Sequence, residues 1–156
     1  MGQLISGIPN AKPFRIKVNR PHPIPKDEQW FWRAAWQKAE RAANDDLAAG
    51  RCELFGEIHV WGRAGGKWKL IATRRFVEEY GRLPEAERAR TKRAFTDLVL
   101  GLRRQETYPK KIAGAHDIRS LQVGGRRHMT FQVIESLVFL RRVGRYNLLR
   151  RQQQHK

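Results

Sequence analysis

The sequence predicts an α+β fold: a small antiparallel sheet with helices packed on one face, in the order β-α-α-β-β-β, preceded by an amphipathic helix and a strand. Three observations lead there. Residues 127–134 alternate, with Met129, Phe131 and Val133 on one side and His128, Thr130 and Gln132 on the other. Strand-like runs flank them at 117–123 and 137–143, so the chain closes in a three-stranded meander. Further upstream, Trp32, Trp36, Ala39, Ala43 and Leu47 recur at spacings of 4, 3, 4 and 4, drawing one apolar stripe along a helix.

Taken in order, residues 1–26 hold five prolines, which argues against a helix, while residues 14–18 alternate like a short strand. The amphipathic helix is expected from about Asp27 to Ala49, with Asp27 and Glu28 suited to its start and Gly50 to its stop. Residues 53–60 and 67–72 alternate and read as strands, and the Gly-rich stretch 62–66 between them is a linker or a hairpin loop. A helix over 74–82 follows. Pro84 and Glu85 then open a second helix to about residue 104, its stripe formed by Ala94 or Phe95, Leu98, Val99 and Leu102. In the meander, Gly124-Gly125 and Glu135-Ser136 are the turns, and Gly144 marks the end. The sheet is expected to carry helices on one face and be open on the other.

Charge divides the chain. Residues 1–64 carry 10 basic and 7 acidic groups, a net of +3; residues 65–156 carry 22 and 8, a net of +14. The front is Trp-rich, with Trp30, Trp32, Trp36 and Trp61. A net charge of +17 makes a polyanion the first partner to consider. No apolar run reaches the ~18 residues that span a bilayer. The single cysteine, Cys52, leaves no intramolecular disulfide and fits a reducing, cytoplasmic setting. Cys52 and His59 are too few for a zinc site, and no cofactor is expected.

Two family resemblances follow from local motifs. "KWKLIATRRFVEEYGRLP", "KKIAGAHDIRSLQVGGRRHMTFQV" and "LVFLRRVGRYNLLRR", in that order, resemble the RelE/ParE superfamily of small bacterial toxins over about 85 residues, 67–151. Ahead of them, residues 23–55 are similar to the C-terminal tail of AbrB/MazE-type antitoxins. The match lies in Trp32, Trp36-Gln37, Glu40, Asp45-Asp46 and Ala49-Gly50-Arg51. The resemblance thus implies two parts: 1–64, an antitoxin-tail-like segment, and 65–156, a RelE-like toxin domain.

The RelE resemblance implies a metal-independent endoribonuclease acting on mRNA, free or on the ribosome, and so inhibiting translation. The ribose 2′-OH attacks the scissile phosphate, cationic donors stabilise the charge that develops, and a side chain moves the proton. On that reading His128, Arg127, Arg145 and Tyr146 are the candidate catalytic residues, with the register around Arg127 and His128 open by one residue. Lys110, Lys111, Arg119, Arg126 and Gln132 are the candidate RNA-binding residues. The antitoxin resemblance implies that Trp30, Trp32, Trp36 and Leu47 contact the toxin domain, with residues 54–60 adding a strand to its sheet edge. The partner is then a cognate antitoxin or the chain's own front segment. An exchange of that segment between two chains would give a homodimer. The same residues also have plainer readings: the arginines as solvated strand ends, the Trp stripe as a core helix. Two other functions fit the same fold, a ParE-like inhibitor of DNA gyrase without nuclease chemistry and a non-enzymatic nucleic-acid-binding module.

Overall fold

A computed structural model describes residues 19–60, 66–103, 109–115, 117–124 and 127–145. The elements are α1 (Gln29–Trp32, entered through a 3-10 turn at Lys26–Glu28), α2 (Ala34–Ala49), β1 (Cys52–Val60), β2 (Gly66–Thr73), α3 (Arg74–Gly81), α4 (Glu85–Arg103), β3 (Lys110–Lys111), β4 (Arg119–Gln122), β5 (Arg127–Ile134) and β6 (Leu137–Arg145). The strand expected at 14–18 lies outside the described residues.

The six strands form one sheet in the order β1-β2-β6-β5-β4-β3. Four of the five pairings are antiparallel, but β2 and β6 run parallel, from Lys69 opposite Leu137 to Ala72 opposite Leu140. The sheet is therefore mixed, not wholly antiparallel as expected. The first and last strands of the basic part meet at its centre, and α3 and α4 lie between them in the chain, as a parallel crossover requires. β1 and β2 pair antiparallel up to Val60 opposite Gly66, and β1 becomes the sheet edge; residues 61–65, most of the Gly-rich stretch expected as a linker or hairpin loop, lie outside the described residues.

α3 and α4 form the expected helical layer. Phe76 from α3 and Phe95, Leu98 and Val99 from α4 pack with Leu70, Ala72, Met129, Phe131, Val138 and Leu140 of the sheet. The side chains at the alternate positions, Ile71 and Phe139, point the other way and pack with Leu47 and Cys52. The face that the sequence reading leaves open is thus covered by α2.

The front helix is broken. Arg33 is extended (φ −67°, ψ 144°), separating α1 from α2 where one continuous helix is expected. The break allows Trp30, Phe31 and Trp36 to cluster with Ile112, Ala115 and Ile118 beside β4, which a straight helix would not reach. The orphaned Phe31 carbonyl accepts a bond from Gln37 Nε2 at 2.6 Å. α2 ends at Gly50, which is left-handed at φ 71°. Asp46 then ties the helix end to the start of α3: Oδ1 accepts from Arg51 Nε at 2.9 Å and Oδ2 from the Arg75 backbone N–H at 2.8 Å. The latter places a carboxylate at the first turn of α3, where it is electrostatically favoured.

Candidate nucleic-acid interface beneath the N-terminal helices

β6 reads LVFLRRVGR, two adjacent arginines in an otherwise apolar run. A bulge decides where they point. Thr130 stands opposite Arg142 and Phe131 opposite Leu140, which leaves Arg141 as the extra residue on β6. Leu140 and Val143 still face the α3/α4 core, while Arg141 and Arg142 both project to the α2 side.

Arg141 is fully buried, and its guanidinium donates four hydrogen bonds. Nε donates to Glu40 Oε1 at 2.8 Å, Nη1 to Gln132 Oε1 at 2.6 Å, and Nη2 to the Glu40 carbonyl at 3.1 Å and to Asn44 Oδ1. The Glu40 carboxylate, 3% exposed, also accepts from Trp36 Nε1 at 2.9 Å and Thr130 Oγ1 at 2.5 Å. Arg142 lies 3.6 Å above the Trp36 ring centre and donates through Nη2 to Glu79 Oε2 of α3 at 2.7 Å. Burial pushes the Glu79 carboxyl up from its ordinary value, with Arg142 and Arg75 opposing, and burial pulls Arg142 down.

His128 lies on the same face. Trp30 stacks on its imidazole at 3.8 Å with the rings 8° from parallel, and Trp36 meets it edge-on at 6.4 Å. Burial lowers its pKa to about 4, so the ring is neutral at pH 7. An open hollow of about 350 Å³, lined by Lys26, Asp27, Gln29, Arg33 and Gln122 as well as Trp30 and His128, leads to this stack.

The candidate catalytic residues do not converge. His128 faces α1 and α2, whereas Arg127 and Arg145, cross-strand partners, reach Glu87 of α4, Arg145 at 3.5 Å. Tyr146 lies outside the described residues, as does Arg126. Among the candidate RNA-binding residues, Gln132 is buried against Arg141. Lys110 is paired with Asp27 and, at 3.0 Å, with Glu28, both from the front segment. The hydrogen bond that Lys110 donates to Asp27 raises its pKa. Lys111 is exposed and Arg119 half-buried, neither beside His128 in the register. Of the candidate contact residues, Trp30, Trp36 and Leu47 are buried and Trp32 is half-buried.

Arg141, Arg142, Thr130 and Glu40 are absent from the expected site. The doubled arginine inside an apolar central strand was the available signal, because such a residue needs a buried partner. Among the described residues no cluster of three His, Cys, Asp or Glu could hold a metal ion, and no helix is long and apolar enough to cross a membrane.

No family model matches the sequence, and no curated protein does. Among solved structures, the RelB–RelE antitoxin–toxin complex from Methanococcus jannaschii is similar at 19% identity and a TM-score of 0.39, over 52% of this chain and 95% of that one. A likeness of that size establishes no function.

Proposed function

We propose that the chain is a RelE-like endoribonuclease domain, residues 65–156, whose RNA-facing surface is covered by its own antitoxin-like segment, residues 1–64. The observation that carries this reading is the fate of the polar face of β5. His128, Thr130 and Gln132, with Arg141 and Arg142 from β6, form a face of donors and a neutral imidazole, and α1 and α2 of the same chain lie on it. A face built for a polyanion is occupied by carboxylate and aromatic groups of an internal helix. Burial under the cover is what lowers the pKa of His128; uncovered, the ring returns towards its ordinary value, where an imidazole suits accepting the 2′-OH proton. Cell-free translation tests the reading. A variant with the cover loosened, Trp36→Ala with Glu40→Gln, is expected to arrest synthesis while the unaltered chain does so weakly. Continued synthesis with the folded variant overturns it.

One observation favours a second reading. His128 is separated by the sheet from Arg127 and Arg145. A gyrase inhibitor or a nucleic-acid-binding module needs no such convergence. Inhibition of DNA supercoiling by the loosened variant, with RNA left intact, would select it.

A further inference from the structure

We infer that the N-terminal segment holds the covered face by imitating one nucleotide of single-stranded RNA: the Glu40 carboxylate stands where a backbone phosphate binds Arg141 and Thr130, and the Trp30 indole stands where a base stacks on His128. The inference deepens the proposed function and rests on its premise that this face takes RNA.

The face supplies what a nucleotide requires. Its own strand residues are two guanidinium groups, a hydroxyl, an amide and an imidazole. Among the described residues the carboxylates that meet the two guanidiniums come from helices: Glu40 of α2, in the front segment, for Arg141, and Glu79 of α3, outside that segment, for Arg142. Glu40 is held as an oxyanion would be, by a guanidinium N–H, a hydroxyl and an indole N–H converging on its two oxygens. A buried ion pair is seldom more stabilising than apolar residues of the same volume, so the presence of Arg141 at the centre of the sheet calls for a role besides stability. Binding a phosphodiester is the role its planar fork suits. The bulge that turns Arg141 and Arg142 to one side doubles the cationic groups at that point.

The stack is equally specific. Rings 3.8 Å apart and 8° from parallel have the geometry of a base on an aromatic platform, the common mode of single-strand binding. His128 and Thr130 are two residues apart on one strand, roughly 7 Å by strand rise, a distance of the order of one nucleotide. Trp30, Trp36 and Glu40 bridge that interval continuously, the two indoles at 4.6 Å and the second bonded to the carboxylate. The hollow beside Trp30 and His128 gives a strand its entry, with Lys26 and Arg33 at its wall.

The test measures binding of a labelled single-stranded RNA octamer, and of the same octamer with abasic sites, to the full chain. Glu40→Gln, which keeps the shape and removes the charge, is expected to tighten binding of both oligomers at least tenfold. Trp30→Ala is expected to tighten only the oligomer with bases. Adding Arg141→Gln to Glu40→Gln is expected to cancel the gain. In the unaltered chain, excess RNA octamer is expected to speed amide exchange in residues 34–49, a readout that needs no variant. Unchanged affinity in folded Glu40→Gln, a gain that survives Arg141→Gln, or unaltered exchange would overturn the inference. Binding that follows this pattern without cleavage would defeat the nuclease reading and leave the mimicry standing. Cleavage by a loosened variant with no gain in affinity would do the reverse.

Discussion

Glu40 is the residue on which the covered face depends. Its carboxylate accepts from Arg141, Thr130 and Trp36 in a site with almost no solvent. Replacing it by alanine leaves the Arg141 guanidinium buried without its counter-ion. We expect Glu40→Ala to cost roughly 3–5 kcal/mol in urea unfolding, the usual penalty for removing one partner of a buried pair, and Glu40→Gln distinctly less. A loss below about 1 kcal/mol for the alanine variant would mean that the pair is solvated in solution. His128 makes the second residue-scale prediction. Its folded pKa, about 4, lies below the ordinary value of 6.5, so the unfolded chain takes up the proton first. The contribution of the neutral ring to stability is therefore complete above about pH 6.5 and is lost progressively as pH falls towards 4. The groups lining the hollow with it are Lys26, Asp27 and Arg33. The thermal midpoint should fall across that window, and less so in His128→Phe.

At the scale of elements, α2 has to stop where it does for its end to meet α3. Gly50 takes a left-handed conformation, and a Cβ added there would meet nothing within 4 Å. Gly50→Ala is therefore a test of backbone strain alone, expected to lower stability by about 1 kcal/mol in denaturant titration with no change in the sheet. The strands of the meander were legible because alternation is read directly from residue type, and the side of β5 that carries His128, Thr130 and Gln132 is as expected. The break at Arg33 was not legible. Trp30, Phe31, Trp32 and Trp36 are apolar on both sides of it, and only the cluster with Ile112, Ala115 and Ile118 shows why the helix turns aside. Nor was the bulge, since periodicity cannot say which residue of a pair such as Arg141-Arg142 has no cross-strand partner. The expected site residues fall in two places, His128 and Gln132 on the covered face and Arg127 and Arg145 beside Glu87 of α4. Arg141 and Arg142, which share the covered face with His128 and Gln132, were not among the residues expected there.

For the whole molecule, part of the basic excess is tied into ion pairs. Arg141, Arg142, Arg127 and Lys110 are each paired with a carboxylate, and two of those carboxylate sets, Glu40 and Asp27 with Glu28, come from the near-neutral front. Other cations are exposed, among them Arg90, Lys92 and Arg93 on α4 and Lys69, Arg74 and Lys111 elsewhere. They supply long-range attraction to a polyanion whether or not the face beneath α2 is open. The front segment is also built into the architecture, because β1 hydrogen-bonds to β2 along the edge of the sheet while α2 lies across its face. The account therefore predicts a chain that attracts RNA at all times and acts on it only when α1 and α2 move. Primer extension on an mRNA tests this most directly, with the full chain beside its Trp36→Ala/Glu40→Gln variant and the same variant carrying His128→Ala. The expected result is discrete new 5′ ends with the loosened variant, at least tenfold fewer with the full chain, and none once His128 is replaced. A folded, loosened variant that leaves the message intact, or a full chain that cuts as fast as the variant, would contradict it.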